Sequence, residues 1–316
     1  MPVFELPTRP GSRAKWARYL HTWGRPPSTS EREQIARTVR MITVALRRHP
    51  WFRTQRLRVF IQGSYTNNTN VRLNSDMDLC VCLTDGFFMQ DAAGSWELHV
   101  DRLGRDPTVS LAGLKEHLYV ALADRFGASS VSWGNKAIKV RETKTTRVRA
   151  DVVGAFQASQ RLPRLKAARL SQDDYGIAIC PDNGKIMMSF PHHHLKNGTA
   201  KNKKTGGKYK NLVRIIKKFR DEMQDAGICQ ADTVPSFLLE SLIYNCPDRC
   251  FQDSNIVDRV EGVLLYSHYV LFSPKARPAL TEVNGIKPLF SDEQPWNPSE
   301  VIDFVTAALD LLITAR

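Results

Sequence analysis

Between residues 76 and 83 the chain alternates strictly. Met77, Leu79, Val81 and Leu83 occupy one parity, and Asp76, Asp78, Cys80 and Cys82 the other. A period of two marks an extended strand, whose successive side chains leave opposite faces of a sheet. Asp76 and Asp78 therefore leave by the same face, carrying two carboxylates side by side. Two acids at that spacing suit a pair of ligands shared between divalent cations about 3.5–4 Å apart, with carboxylate oxygens as hard ligands. An Asp-x-Asp pair on its own is more often surface charge, so its neighbours decide the reading.

Those neighbours point the same way. Arg58 to Gln62 is a short strand, and Gln62-Gly63-Ser64 follows it. A glycine there lets backbone approach a phosphate closely, and the Ser64 hydroxyl adds a donor. The polar stretch Asn67 to Asn74 then makes a turn, with Arg72 and Asn67 to Asn70 ordering it by side chain to backbone bonds. Downstream, Lys136 to Arg141 and Arg147 to Val153 read as two strands joined by a short polar turn. That hairpin supplies a third acid, Asp151. Taken in this order, the elements match what phosphoryl transfer from a nucleoside triphosphate requires. Carboxylates hold the metals, and donors align the phosphate tail. Asp76, Asp78 and Asp151 are the candidate catalytic and metal residues. Asp151 is expected to hold the metal that activates the attacking hydroxyl and to help accept its proton. Gln62, Gly63 and Ser64 are the candidate nucleotide contacts.

At 316 residues the chain is long enough for two lobes, since one core rarely grows past roughly 250 residues. Ser30 and Glu33 form a capping box at the start of a helix over 28–49. Leu111, Leu114, Leu118 and Ala121 give a second over 109–126. Helices are expected over 209–225, 235–244 and 300–314, and a basic loop over 197–210. The first half is therefore mixed and the second mostly helical, with lobes expected at 1–180 and 181–316. Residues 1–13 lack the apolar core of a signal peptide and no run of about 18 apolar residues occurs, so the cytoplasm is the expected compartment. The six cysteines are irregularly spaced, and Cys246 and Cys250 form no CxxC pair, which argues against a disulfide framework or a zinc site. The formal net charge of +13 suggests polyanionic partners without choosing between nucleic acid and nucleoside triphosphates.

With these residues assembled, the chain resembles a known family. Gln62-Gly63-Ser64-Tyr65, Thr69-Asn70-Val71-Arg72 and Ser75-Asp76-Met77-Asp78 resemble the DNA polymerase β-like nucleotidyltransferases. They are most similar to the bacterial cGAS/DncV-like nucleotidyltransferases of anti-phage signalling. Ser189-Phe190-Pro191, Lys201-Asn202 with Thr205, the run Lys210 to Lys217, and Pro235-Ser236-Phe237 extend the likeness. It covers about residues 30 to 245. The resemblance implies an α+β fold, with a polymerase β-like lobe built on a mixed or antiparallel sheet, a helical C-terminal lobe, and an active site in the cleft between them. It implies two Mg²⁺ ions, for which Mn²⁺ substitutes, and a cyclic di- or trinucleotide made from free triphosphates. A downstream effector would receive that product. The resemblance also implies triphosphate contacts from Lys217 and Ser236. An ammonium suits phosphate oxygens, and Ser236 after Pro235 opens a helix, where anions bind well.

Several expectations remain open. The basic run Lys196, Lys201, Lys203, Lys204 and Lys208 is either solvated surface or a mobile flap near the phosphates. His192 to His194 is expected to be exposed, and Ser189 or Phe190 to line a base pocket. The alternative activity is RNA 3′-terminal nucleotidyl transfer, which would use the same acids and turn the basic surface to RNA. A nucleic-acid activator of the cyclase is suggested by the charge alone.

Overall fold

The computed structural model describes residues 13–71, 76–90, 96–100, 110–144, 146–160 and 175–313. Its helices are α1 (Arg13–Trp23), α2 (Thr29–Arg48), α3 (Pro50–Arg53), α4 (Gly63–Asn67), α5 (Leu111–Phe126), α6 (Pro191–Lys204), α7 (Lys208–Asp225), α8 (Ser236–Tyr244), α9 (Ile256–Phe272) and α10 (Pro298–Ile313). Its strands are β1 (Leu57–Gln62), β2 (Met77–Gln90), β3 (Trp96–Val100), β4 (Val131–Trp133), β5 (Ile138–Val140), β6 (Ala150–Gln160), β7 (Gly176–Ile179) and β8 (Met187–Ser189). The fold is α+β. Among the described residues it divides into two units, one of Ser28–Thr66 and Asn74–His192, the other of Met1–Pro27, Asn67–Leu73 and His193–Arg316. Arg72 and Ser75 lie outside the described residues.

The first unit is built on a mixed eight-stranded sheet whose main path runs β1-β2-β6-β5-β4, with β3 also on β2 and β7 linking β6 to β8. Among the described strands only the β2–β6 pair is parallel. The alternation in β2 sorts its side chains as the sequence requires. Met77, Leu79, Val81 and Leu83 enter a core with Ile35, Ile42 and Leu46 of α2 and Leu114 and Leu118 of α5. Cys80 and Cys82 go to the other face with Ala155 and Ile177. Burying such a leucine or isoleucine stabilises the fold by about 1.5–3 kcal/mol. α2 begins slightly earlier than the Ser30–Glu33 box predicts. Its cap is Ser28, whose hydroxyl accepts from the Glu31 amide at 3.2 Å, because Ser28 and Glu31 repeat the same spacing two residues upstream. Phe190, a candidate for a base pocket, is buried in this core instead, and Ser189 is half-buried on β8.

The second unit is helical. Trp16, Leu20 and Trp23 of α1 pack with Leu212, Ile216 and Phe219 of α7, and with residues of α8, α9 and α10. Trp16 and Phe219 are in ring contact, with centroids 5.0 Å apart. Two expectations are corrected here. Residues 197–204 are not a loop but the end of α6, which starts at Pro191 with its preset φ and stops before Gly206 and Gly207, both at positive φ. His194 is not exposed. It lies on the inner side of α6, and its Nε2 is 2.9 Å from Glu240 Oε1. The basic run is therefore ordered helix. Lys201 pairs with Asp248 at 2.7 Å and donates to the Cys246 carbonyl at 2.6 Å, whereas Lys203 and Lys204 are exposed.

Candidate active site

Three adjacent strands bring the predicted residues together within the first unit. In the antiparallel β1–β2 ladder Gln62 stands opposite Asp78, and in the parallel β2–β6 ladder Asp78 stands opposite Asp151. Neighbouring strands are about 4.8 Å apart, so the two paired acids leave the same face side by side. Asp76 sits just before β2, on the same parity as Asp78. The ladder starts there with Met77 N–H donating to the Arg149 carbonyl at 3.0 Å. The approach to Asp151 is fixed from α2, where the Thr38 hydroxyl accepts from the Val148 amide at 3.0 Å.

Gly63 ends β1 and opens α4 at a φ of +67°, a conformation that favours glycine. A Cβ on Gly63 would lie 2.2 Å from Asp78 Oδ2 and 3.2 Å from its Cγ. The glycine is thus required twice, for its dihedral and for the room it leaves the carboxylate. Ser64 is the second residue of α4 and half-buried, and Gln62 is half-buried at the end of β1. Tyr65 closes the Gln62-Gly63-Ser64-Tyr65 motif, which assigned it no role. Its phenol is pushed up to about 12 by burial first, then by the negative charges of Glu31, Asp76 and Asp78, so it stays protonated.

One of the three acids, Asp151, has a perturbed carboxyl. The Asp151 carboxyl is raised above its ordinary value, by burial first and then by the Asp76 charge, against the opposing pull of Lys139 and Arg149. Its Oδ1 is buried without a hydrogen-bond partner. An orphaned buried acceptor beside further carboxylates fits a divalent cation, whose ligands are hard oxygens. Among the described residues, no three His, Cys, Asp or Glu side chains are gathered tightly enough to form a ready metal cage. Mutual repulsion gives a physical reason. Asp76 pairs with the Arg149 guanidinium instead, at 3.6 Å, and Arg149 is in turn held by both oxygens of Glu142 at 2.9 and 3.3 Å. Arg149 is thus a half-exposed counter-charge to Asp76.

Lys217 and Ser236 belong to the helical unit. Lys217 is buried on α7, with its ammonium 2.6 Å from Glu240 Oε2. Ser236 is the first residue of α8, and its hydroxyl accepts from Arg220 Nη2 at 2.9 Å. Glu240 was missed by motif reading. Its only signal is a lone charge inside the apolar run Phe237 to Tyr244.

Residues 196–313 match the family model of the cGAS/DncV-like nucleotidyltransferase C-terminal helical domain. The chain is 35% identical over 295 residues to the cyclic dipyrimidine nucleotide synthase CdnE of Legionella pneumophila, covering 93% of this chain and 96% of that protein. This chain belongs to the cGAS/DncV-like nucleotidyltransferase family. It is also 32% identical to the cyclic dipurine nucleotide synthase of Elizabethkingia meningoseptica, over 90% of this chain and 94% of that one. Its fold is similar to the Rhodothermus marinus CdnE c-UMP-AMP synthase solved with Apcpp and Upnpp. The TM-score is 0.77 at 29% identity, covering 94% of this chain and 96% of that structure. The chain is accordingly a nucleotidyltransferase with the polymerase β-like fold and a C-terminal helical domain.

Proposed function

We propose that this enzyme makes a cyclic dinucleotide second messenger from free nucleoside triphosphates, without a template, as part of bacterial anti-phage signalling. The observation that carries the reading is the Gln62–Asp78–Asp151 register with Gly63 packed on the Asp78 carboxylate, in a chain alike over almost its whole length to cyclic dinucleotide synthases. In two successive transfers, a sugar hydroxyl of one nucleotide attacks the α-phosphate of the other, its proton passes to a base, and pyrophosphate leaves. The second transfer closes the ring.

Asp76, Asp78 and Asp151 are the residues proposed to hold two Mg²⁺ ions, or Mn²⁺ in their place. Bound there, the cations would neutralise phosphate charge and ease deprotonation of the hydroxyl. Asp151 is the proposed proton acceptor. A carboxyl raised by burial is a better base than an exposed one. Gln62, Gly63 and Ser64 are proposed to cradle phosphate oxygens with backbone and hydroxyl donors. Phosphate-contacting roles are likewise proposed for Lys217 and Ser236.

The comparisons support the cyclase and not the RNA 3′-terminal alternative. The bases stay open, because relatives of similar identity are named for dipyrimidine and dipurine products. No helix among the described residues is long and apolar enough to cross a membrane. The pool of triphosphates argues for action in the cytoplasm, with a separate effector receiving the product. The deciding experiment incubates the protein with Mg²⁺ or Mn²⁺ and the four triphosphates, singly and mixed, followed by phosphatase and mass spectrometry. A phosphatase-resistant species with the mass of a cyclic dinucleotide is expected. Label transferred only to an RNA 3′ end would overturn the reading. Adding DNA or RNA to the same assay tests for a nucleic-acid activator, and an unchanged rate would eliminate it.

A further inference from the structure

A buried charged cluster lies in the helical unit, outside the three acids. Glu240 on α8 is 3% exposed, Lys217 on α7 3%, His194 on α6 7% and Thr69 fully buried. Glu240 Oε2 accepts from the Lys217 ammonium at 2.6 Å and from the Thr69 hydroxyl at 2.8 Å, and Oε1 meets His194 Nε2 at 2.9 Å. Lys217 also reaches the Thr69 carbonyl at 3.4 Å. One turn earlier on α7, Arg214 donates to the Asn68 carbonyl at 2.5 Å and to the Gly24 carbonyl at 2.9 Å.

Such a cluster is a poor way to gain stability alone. Removing charges from water costs several kcal/mol per ion, and well-packed apolar residues often do as well. What the cluster grips explains its retention. Thr69 and Asn68 belong to the short segment that leaves α4 and leads to β2. They lie six and five residues after Gly63 and seven and eight before Asp76. Asn68 is the only non-glycine residue at positive φ among the described residues, at +55°. Local side chain to backbone bonds were the expected organiser of this turn. Long-range bonds also reach the turn from α7 and α8, across 146 to 171 residues of sequence.

We propose that Glu240 is a positioning residue for nucleotidyl transfer. It locks Lys217 and Thr69 into one buried cluster and so fixes residues 68 and 69, which in the chain follow the Gly63-Ser64 motif and precede Asp76 and Asp78. The carboxylate touches no reacting atom. It acts by holding residues 68 and 69, which follow Gly63-Ser64 closely in the chain. This inference rests on the proposed synthase reaction for its kinetic readout only.

The test uses the full-length protein and four variants: Thr69→Val, Thr69→Ser, Glu240→Gln and Glu240→Asp. Thr69→Val removes the side-chain bond from the turn to Glu240 while leaving the Lys217–Glu240 pair and the bonds to the Asn68 and Thr69 carbonyls, so folding survives. It is expected to lower kcat by about 10–100-fold with KM for triphosphate nearly unchanged, as small misplacements do. Thr69→Ser restores most of the rate, and the unfolding midpoint of Thr69→Val stays close to that of the unaltered protein. In Glu240→Gln, amide exchange at residues 68–71 accelerates by at least about tenfold relative to the α9 core, a local opening and not a global one. Glu240→Asp, with its shorter reach, falls between the two. A lowered midpoint with kcat and exchange at 68–71 unchanged would overturn the proposal and leave the cluster structural. If the unaltered protein makes no cyclic product, the synthase reading fails by itself, and the exchange experiment still decides the tether.

Discussion

The Asp78 carboxylate occupies the space where a side chain on residue 63 would begin. Oδ2 lies 2.2 Å from that position, and Gly63 has a φ of +67°. Gly63→Ala therefore strains the backbone by roughly 1–2 kcal/mol and pushes Asp78 out of line. Chemical denaturation is expected to show that modest loss. Turnover falls far more, by about 100-fold or beyond, because the displaced group is an acid of the proposed metal set. Activity that tracked the small stability change would show that Asp78 tolerates displacement.

Asp151 tests the other side of the same ladder. Asp151→Asn keeps the volume and the β6 hydrogen bonds while removing the charge. If Asp151 accepts the proton, kcat drops by about 10²–10⁴-fold with the fold intact by circular dichroism. The same variant, and Asp76→Asn with Asp78→Asn, should lose the rise in melting temperature that Mg²⁺ or Mn²⁺ gives the unaltered protein. A chelator such as EDTA should remove that rise and all turnover, and restored metal should return both. A midpoint that still climbs with Mn²⁺ in these two variants would put the ions elsewhere.

How much of this was written in the sequence follows from the range of the interactions. Strand parity in β2 is a local property, so the acids' shared face and the burial of Met77, Leu79, Val81 and Leu83 could be read directly. The Gly63–Asp78 contact and the Asp78–Asp151 register needed the sheet order, which pattern alone does not supply. Residues 197–204 were misread because lysine, asparagine and glycine mimic loop composition. The helix is held by one buried side that includes His194 and Gly198. Glu240 was invisible for a related reason. A single charge in an apolar run has meaning only when its partners, Lys217, His194 and Thr69, arrive from three other segments.

The Glu240 cluster should also give stability a distinctive dependence on pH. Burial by itself would raise this carboxyl, but the Lys217 ammonium and the His194 contact outweigh it and hold it well below the ordinary glutamate value of 4.5. A depressed folded-state value means stability that is present above the ordinary value and lost as pH falls below it. Thermal unfolding followed between roughly pH 6 and pH 3 is expected to show a falling midpoint, and Glu240→Gln to flatten part of that slope. Identical slopes in the two proteins would mean that Glu240 titrates alike folded and unfolded.

Lys217 has two roles to separate, partner of Glu240 and proposed phosphate contact, and stability distinguishes them from kinetics. Lys217→Met leaves the Glu240 carboxylate buried without its main counter-charge, at a cost of about 3–5 kcal/mol. Adding Glu240→Leu removes the stranded charge, so the double variant should recover more than half of that loss. Catalysis should not recover with it. With no ammonium left for phosphate, KM for triphosphate stays raised by roughly 10–150-fold, the size of one lost charged hydrogen bond of about 1.5–3 kcal/mol. The rate constant stays low as well, because Thr69 has lost its acceptor. A double variant that regained stability with KM unchanged would confine Lys217 to the buried cluster and leave phosphate binding to other donors. One that regained neither would show that His194 and Thr69 need the Glu240 carboxylate as much as Lys217 does.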